Sequence, residues 1–214
     1  MATGRFITLE GGEGAGKSTQ IRLLAQALTD RGMEVVTTRE PGGGSDGAAA
    51  IRGLLVAGDT SWQRLTEALL HNAARHENVE ALVRPALARG AWVLCDRYAD
   101  STVAYQGYAM GVDRGVLTDL HRLSTGGLMP DLTLVLDLPV EAGLARAGSR
   151  PGTEDRYERM GMEFHERLRQ GFLDIAARDS GRCAVIDATG DIATIQARLL
   201  TVVEGRLGPL GRTA

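Results

Sequence analysis

The sequence predicts an α/β protein built on a parallel sheet, and three features carry that reading. An apolar run, Phe6-Ile7-Thr8-Leu9, leads into Gly11-Gly12-Glu13-Gly14-Ala15-Gly16-Lys17-Ser18-Thr19, which opens into the amphipathic stretch Ile21-Arg22-Leu23-Leu24-Ala25. This is strand, glycine loop and helix in the order that the phosphate-binding pattern G-x-x-x-x-G-K-[ST] requires. A β-branched run, Glu34-Val35-Val36-Thr37-Thr38, returns after the helix, so strand–helix–strand implies a right-handed crossover and parallel neighbours. Two later apolar runs, 91–95 and 132–136, read as strands buried on both faces.

In order, the first strand spans about 5–9 and the helix after the glycine loop runs to about Arg31, where Gly32 supplies a left-handed cap. The second strand, 34–38, ends in Arg39-Glu40-Pro41-Gly42-Gly43-Gly44-Ser45. Open α/β sheets bind ligands at the carboxyl edge of their strands, so Arg39 and Glu40 stand either to meet a substrate or to form a tight surface loop. Helical periodicity follows over 46–56 and 62–89, the second stretch with apolar residues at Leu65, Leu69, Leu70 and Ala73 and a kink or break at Pro85. Gly90 closes it. The strand 91–95 ends in Asp96-Arg97-Tyr98. Just past it, Ser101-Thr102-Val103-Ala104-Tyr105-Gln106-Gly107 offers hydroxyls, a ring and an amide, which line either a small-molecule pocket or the polar face of a surface helix. The strand 132–136 ends in Asp137, and a helix follows over 140–147. Arg146, Arg150, Arg156 and Arg159 make 146–159 locally basic, and its Gly and Pro predict mobility: a loop suited to closing over a nucleotide, or a solvated helix start. A long helix to about 178, a strand over 182–186 and a helix over 192–204 finish the chain, with Gly205 as cap and 205–214 as a flexible tail.

At 214 residues and 43% apolar content, with no Ser/Pro-rich linker, the chain reads as one well-cored domain, 1–214. A net charge of −3 gives no blanket attraction to nucleic acid, and no apolar run approaches membrane-spanning length. Cys95 and Cys183 sit in strand-like runs and read as free buried thiols. With no leader ahead of the first strand, a soluble cytoplasmic protein is expected.

The glycine loop makes the chemistry specific. Successive backbone N–H groups and the start of the next helix wrap a polyphosphate, Lys17 reaches the β/γ-phosphates and the Ser18 hydroxyl ligates Mg²⁺. Lys17 is the only lysine in the chain, which marks a site that wants a compact ammonium rather than a guanidinium fork. Asp96, at a buried strand tip, is the preferred second metal residue; Asp137 has the same form but also reads as a helix cap. Neither asparagine, Asn72 or Asn78, is followed by Lys, which disfavours a guanine-specific switch protein. Arginines at strand tips and loops, without a Ser–His or Cys–His pair, suit an acceptor that is itself a phosphate monoester. Such a dianion, with a second pKa of about 6, needs positive charge rather than a general base. The motifs thus point to a nucleoside monophosphate kinase.

The chain resembles thymidylate kinases of the bacterial kind. The likeness is carried by residues 6–19, Thr-Arg-Glu-Pro-Gly-Gly at 38–43, Ala-Ala-Arg at 73–75, Asp-Arg-Tyr at 96–98, Ser-Thr-Val-Ala-Tyr-Gln-Gly at 101–107, Pro-Asp-Leu-Thr-Leu-Val-Leu-Asp at 130–137 and Asp-Arg-Tyr-Glu at 155–158. It implies the P-loop nucleoside monophosphate kinase fold, a five-stranded parallel sheet in order 2-3-1-4-5, and phosphorylation of dTMP to dTDP by MgATP in dTTP biosynthesis. Gly11, Gly12, Glu13, Gly14, Ala15, Gly16, Lys17, Ser18 and Thr19 would then hold ATP, with Ser18 and Asp96 at the metal. Lys17, Glu13, Arg97, Arg150 and Arg156 would be catalytic, the last two from a late lid. The acceptor pocket would comprise Glu13, Arg39, Glu40, Pro41, His71, Arg75, Asp96, Arg97, Ser101, Thr102, Tyr105, Gln106, Asp155 and Tyr157. Arg75 would address thymine, and Tyr105 would fill the place of a ribose 2′-OH. The resemblance also implies a homodimer packed helix against helix. Where the family usually stacks an aromatic ring, commonly Phe, on the base, this chain has His71; an imidazole can stack but also charge, which predicts weaker or pH-dependent base affinity. Another small-molecule P-loop kinase, or a non-catalytic ATP-binding regulator, fits part of the same pattern.

Overall fold

The computed structural model describes residues 4–56, 60–149 and 156–210. Strands β1 (Phe6–Glu10), β2 (Val35–Arg39), β3 (Trp92–Asp96), β4 (Leu132–Asp137) and β5 (Cys183–Asp187) form one parallel sheet in the order β2-β3-β1-β4-β5. Around it lie α1 (Lys17–Thr29), α2 (Asp46–Val56), α3 (Arg64–Asn78), α4 (Arg84–Ala88), α5 (Ala99–Thr102), α6 (Arg114–Thr125), α7 (Val140–Gly148), α8 (Met162–Arg178) and α9 (Ile192–Leu207). Two π-helical turns, Val79–Val83 and Val103–Ala109, interrupt the helical runs.

Each strand's burial follows from its place in the sheet. β1 is central and buried at every position, whereas the edge strand β2 alternates between partial burial and exposure. On one face α1 and α9 bring Leu24, Leu28, Ile195, Leu199 and Val203 against Ile7, Leu9 and Leu134. On the other, Leu168 and Phe172 of α8 pack with Ala104 and Tyr105 of the second π turn, and Phe6 and Val93 pack with Val79 and Val83 of the first. A buried ion pair anchors the segment after β3: Arg182 donates from Nη1 and Nη2 to the two oxygens of Asp100 at 2.7 and 3.0 Å.

Register brings the chemistry to one edge. Leu9 and Arg39 both align with Asp96, and Glu10 aligns with Val135, so the tips of β1, β2 and β3 meet beside the glycine loop.

The helix expected over 62–89, with its kink or break at Pro85, does change geometry there: the π turn Val79–Val83 runs directly into α4, whose first turn holds Pro85. Several expectations are corrected. The apolar stripe of that helix faces outward: Leu65 and Leu69 are 47% and 48% exposed, while Glu67, Asn72 and Arg75 of α3 are buried. Gly205 is no cap, since α9 continues to Leu207 and Gly208, at φ 89°, ends it; the flexible tail expected from 205 is therefore helical at its start. α6 was not among the expected elements; Asp113 caps it by accepting from Val116 N at 3.1 Å. Of the late basic segment, Arg146 lies on α7, and Arg150 and Asp155 lie outside the described residues.

Candidate active site

The carboxyl ends of β1, β2 and β3 open into a cavity of about 370 Å³. One wall is the glycine loop. Gly14 has φ 67°, and a Cβ there would come within 1.9 Å of the Gly143 carbonyl on α7, so only glycine lets the loop lie against that helix. Lys17 folds back over the loop, donating from Nζ to the carbonyls of Gly11 at 3.0 Å and Gly12 at 2.9 Å. Burial, and next the Arg97 guanidinium, lower its ammonium to about 8 against the pull of Glu13, Asp96 and Glu10. Ser18, in the first turn of α1, donates from Oγ to Asp96 Oδ2 at 2.7 Å. The other acidic strand tip, Asp137, accepts both arms of Arg169 at 2.7 and 3.0 Å.

Arg97 occupies the centre. Its backbone is left-handed at φ 69°, which turns the side chain from the tip of β3 back over the glycine loop. Nη1 donates to Gly11 O at 3.0 Å and Ser101 Oγ at 3.2 Å, Nη2 donates to Glu13 Oε1 at 2.9 Å, and the guanidinium lies 4.9 Å from the Tyr105 ring centroid. The Tyr105 hydroxyl donates to the same Glu13 oxygen. Burial opposes ionisation of Glu13, but Arg97 and Lys17 outweigh it and hold the carboxyl down at about 2. Behind them Glu10 accepts from Tyr98 N at 2.7 Å and Ser101 Oγ at 2.5 Å; burial, then the neighbouring Asp100 charge, push its carboxyl up to about 7.

The far wall is organised by Arg75, 2% exposed. Its guanidinium donates to Glu40 Oε2 at 2.7 Å, Thr102 Oγ1 at 2.8 Å, Tyr98 O at 3.0 Å and Asn72 Oδ1 at 3.3 Å. Glu40, itself buried, also accepts from Asn78 Nδ2 at 3.0 Å, so its carboxylate holds Arg75 rather than standing open to the cavity. His71 lines the same wall, with Nε2 3.1 Å from the Tyr157 hydroxyl. Burial first, then Arg75, Arg156, Arg97 and Arg52, drive its imidazole down to about 3, so it is neutral throughout the working pH range and the expected pH-dependent charge is corrected.

Glu13, Gly14, Ala15, Gly16, Lys17, Ser18, Thr19, Arg39, Glu40, Pro41, His71, Arg75, Asp96, Arg97, Ser101, Thr102, Tyr105, Gln106 and Tyr157 all line the cavity. Gly11 and Gly12 lie behind it and contribute carbonyls to Lys17. Arg156 lies off the cavity wall: its guanidinium reaches Glu67 and Thr60 O and covers the Tyr157 ring at 5.0 Å. Sequence reasoning did not single out Arg52 or Glu67, and it named Tyr98 only within Asp-Arg-Tyr, with no role. Arg52 lines the cavity from α2 and donates to Pro41 O at 2.9 Å, and Arg146, noted only as part of the basic segment, lines it beside the glycine loop and donates to Ala188 O at 3.1 Å. Arg52 had no motif to mark it, and the burial of the helix face that carries Glu67 was hidden by the outward apolar stripe.

The family model described as thymidylate kinase matches residues 9–199. The chain belongs to the thymidylate kinase family. It is 53% identical over 209 residues to a thymidylate kinase of Caulobacter vibrioides, covering 97% of this chain and 100% of that one. It is 51% identical over 208 residues to one of Rhodopseudomonas palustris, covering 95% of this chain and 90% of the relative. In three dimensions it matches the crystal structure of thymidylate kinase from Ehrlichia chaffeensis with a TM-score of 0.74 at 33% identity, over 94% of this chain and 99% of that one. The family fold is the sheet order described above, which sets strand β3, and with it Asp96 and Arg97, beside the glycine loop.

Proposed function

We propose that the chain phosphorylates dTMP to dTDP with MgATP, and that the observation carrying this reading is Arg97, which joins the ATP-binding loop through Glu13 to the nucleoside wall through Ser101 and Tyr105. The γ-phosphoryl of ATP would lie against the loop N–H groups and Lys17, whose bonds to Gly11 and Gly12 are exchanged for phosphate oxygens. The 5′-phosphate of dTMP enters as a dianion and attacks without a general base. The work of the protein is to hold two repelling phosphates in line, and Arg97 and Arg146, both on the cavity wall, would supply charge there. Arg150 would serve the same task from the late segment, whereas Arg156, bonded to Glu67 and Thr60 O off the cavity wall, is not placed for it.

The donor set fits Mg²⁺: Ser18 Oγ and Asp96 Oδ2 are hard oxygens 2.7 Å apart at the loop. Among the described residues no cluster of three acidic, His or Cys side chains could hold a metal alone, which suits an ion carried in on nucleotide phosphates. When bound, Mg²⁺ neutralises charge on the phosphate oxygens. Arg75, oriented by Glu40, addresses the thymine edge with Thr102, His71 packs on the ring, and Tyr105 excludes a 2′-OH. A homodimer is supported by the outward-facing Leu65 and Leu69 on α3 and by Leu54 of α2, 52% exposed, apolar side chains of the kind a helix-on-helix contact covers. Two buried free cysteines suit a cytoplasmic setting.

A coupled ADP-release assay with dTMP, dUMP, dCMP, dGMP, dAMP and UMP, run beside Lys17→Ala, tests the assignment. Preference for dTMP that vanishes in the variant is the expected outcome. Preference for another monophosphate would overturn the base assignment, and ATP binding without turnover of any acceptor would overturn the kinase.

A further inference from the structure

Glu67 belongs to no motif, and none of the roles above uses it. It projects from α3 and is 2% exposed, and a buried carboxylate is tolerated only where donors satisfy it. Three do: Gln106 Nε2 and the Tyr157 hydroxyl each reach Oε1 at 2.8 Å, and Arg156 Nη2 reaches Oε2. These donors come from two separate pieces of chain, the second π turn and the turn that begins at Arg156. Gln106 and Tyr157 both line the nucleotide cavity, and the Tyr157 ring meets Tyr105 edge-on at 5.1 Å.

The hydroxyl of Tyr157 also lies 3.1 Å from His71 Nε2. A phenol has one proton to donate. Two oxygens 2.8 Å apart without a hydrogen between them would repel, so that proton points to the Glu67 carboxylate, the stronger acceptor. Toward His71 the phenol oxygen can then only accept, which requires the imidazole proton on Nε2. His71 Nδ1, which has no hydrogen-bond partner among the described residues, is left as an acceptor at the cavity wall.

We infer that Glu67 is a positioning residue: its carboxylate clasps the Arg156–Tyr157 turn against the acceptor pocket and, through Tyr157, holds His71 as the Nε2–H tautomer. The inference rests on the reading of this cavity as the nucleoside monophosphate site. A clasp of this kind preorganises the acceptor wall and leaves the glycine loop untouched, so its loss falls on one substrate and not the other.

In Glu67→Gln one oxygen becomes a donor and the charge facing Arg156 is lost. The KM for dTMP is expected to rise about tenfold, the worth of one charge-assisted hydrogen bond, with the KM for ATP changed by less than about twofold. Tyr157→Phe keeps the ring and breaks the relay; it should raise the same constant, and the double variant should lose less than the two effects added. Independently of any substrate, nitrogen-15 NMR of histidine-labelled wild-type protein, with His71 assigned by its absence in His71→Phe, should show the Nε2–H pattern, and Tyr157→Phe should shift it toward a mixture. An unchanged KM for dTMP in folded Glu67→Gln, an equal rise for ATP, additive losses, or an Nδ1–H pattern in the wild type would each overturn the inference. Should Glu67→Gln not fold, Tyr157→Phe and the wild-type spectrum decide it. If the substrate panel selects another monophosphate, the kinetic comparison is made with that acceptor, so failure of the dTMP assignment and failure of the clasp remain separate results.

Discussion

Arg97 grips Glu13 at 2.9 Å across the junction between the tip of β3 and the glycine loop. Two Nη1 protons are spent on Gly11 O and Ser101 Oγ, and one Nη2 proton is spent on Glu13, so the guanidinium is fixed in place while Nε and the second Nη2 proton, which no described residue accepts, are left for an incoming anion. A donor held this way costs little to organise in the transition state. Arg97→Ala is expected to lower kcat/KM for dTMP by about 10² to 10³, the range seen when one preorganised donor to developing charge is removed. Steady-state kinetics read the loss, and an ATP affinity that moves with it by the same factor would assign Arg97 to the donor side instead.

Glu40 and Arg75 are both buried and bonded at 2.7 Å, so each is the other's main compensation for leaving water. Glu40→Ala leaves the guanidinium without its countercharge and should destabilise the fold by about 3–5 kcal/mol, a fall in Tm on the order of 10 °C. Replacing both, as Glu40→Leu with Arg75→Met, should recover much of that stability while dTMP binding stays lost. Thermal unfolding and binding calorimetry together separate the two roles; recovery of dTMP affinity in the double variant would remove Arg75 from base recognition.

How far the sequence carried the site depended on whether a residue's job is local. The glycine loop, Lys17 and Ser18 are legible because the chemistry sits within one strand–loop–helix unit. Asp96 and Arg97 are legible because a buried strand ends at them. Arg52, Arg146 and Glu67 reach the cavity or its rim from the sides of helices, and their meaning is created by what packs opposite. The outward face of α3 shows the same limit from the other side: Leu65 and Leu69 carry the helical period that predicts the element, yet the buried face is Glu67, Asn72 and Arg75 because those side chains find partners in the pocket wall. Gly205 failed as a cap because glycine alone does not end a helix whose apolar contacts continue; Val203 and Leu207 keep α9 on the core for another turn.

Gly14 and Gly143 touch backbone to backbone, and a Cβ on either would intrude, to 1.9 Å from Gly143 O in one direction and 2.5 Å from Glu13 O in the other. The loop cannot yield without carrying Glu13 away from Arg97. Gly14→Ala, which also forces a side chain into φ 67°, should therefore weaken ATP binding and turnover together, by about tenfold or more. Gly148→Ala, one turn beyond the contact on the same helix and with open space around its Cβ, should leave both unchanged. Fluorescent-nucleotide titration checks the pair.

His71 is held neutral because its imidazolium would be buried among Arg75, Arg156, Arg97 and Arg52. Its folded pKa, about 3, lies below the ordinary 6.5, so the unfolded chain takes up a proton before the folded one does as pH falls. The stability this residue leaves intact above pH 6.5 is thus lost progressively between 6.5 and 3. Relative to His71→Phe, which has no proton to bind in either state, the wild type should lose about 2 kcal/mol more on going from pH 7 to pH 5. Glu10 is common to both proteins, so its own titration near 7 cancels in the difference. Urea unfolding of the two proteins at several pH values measures it. The same neutrality means that the KM for dTMP should show no inflection between pH 6 and 7 that His71→Phe abolishes; such an inflection, or a pH-independent stability difference, would mean that His71 charges within the pocket.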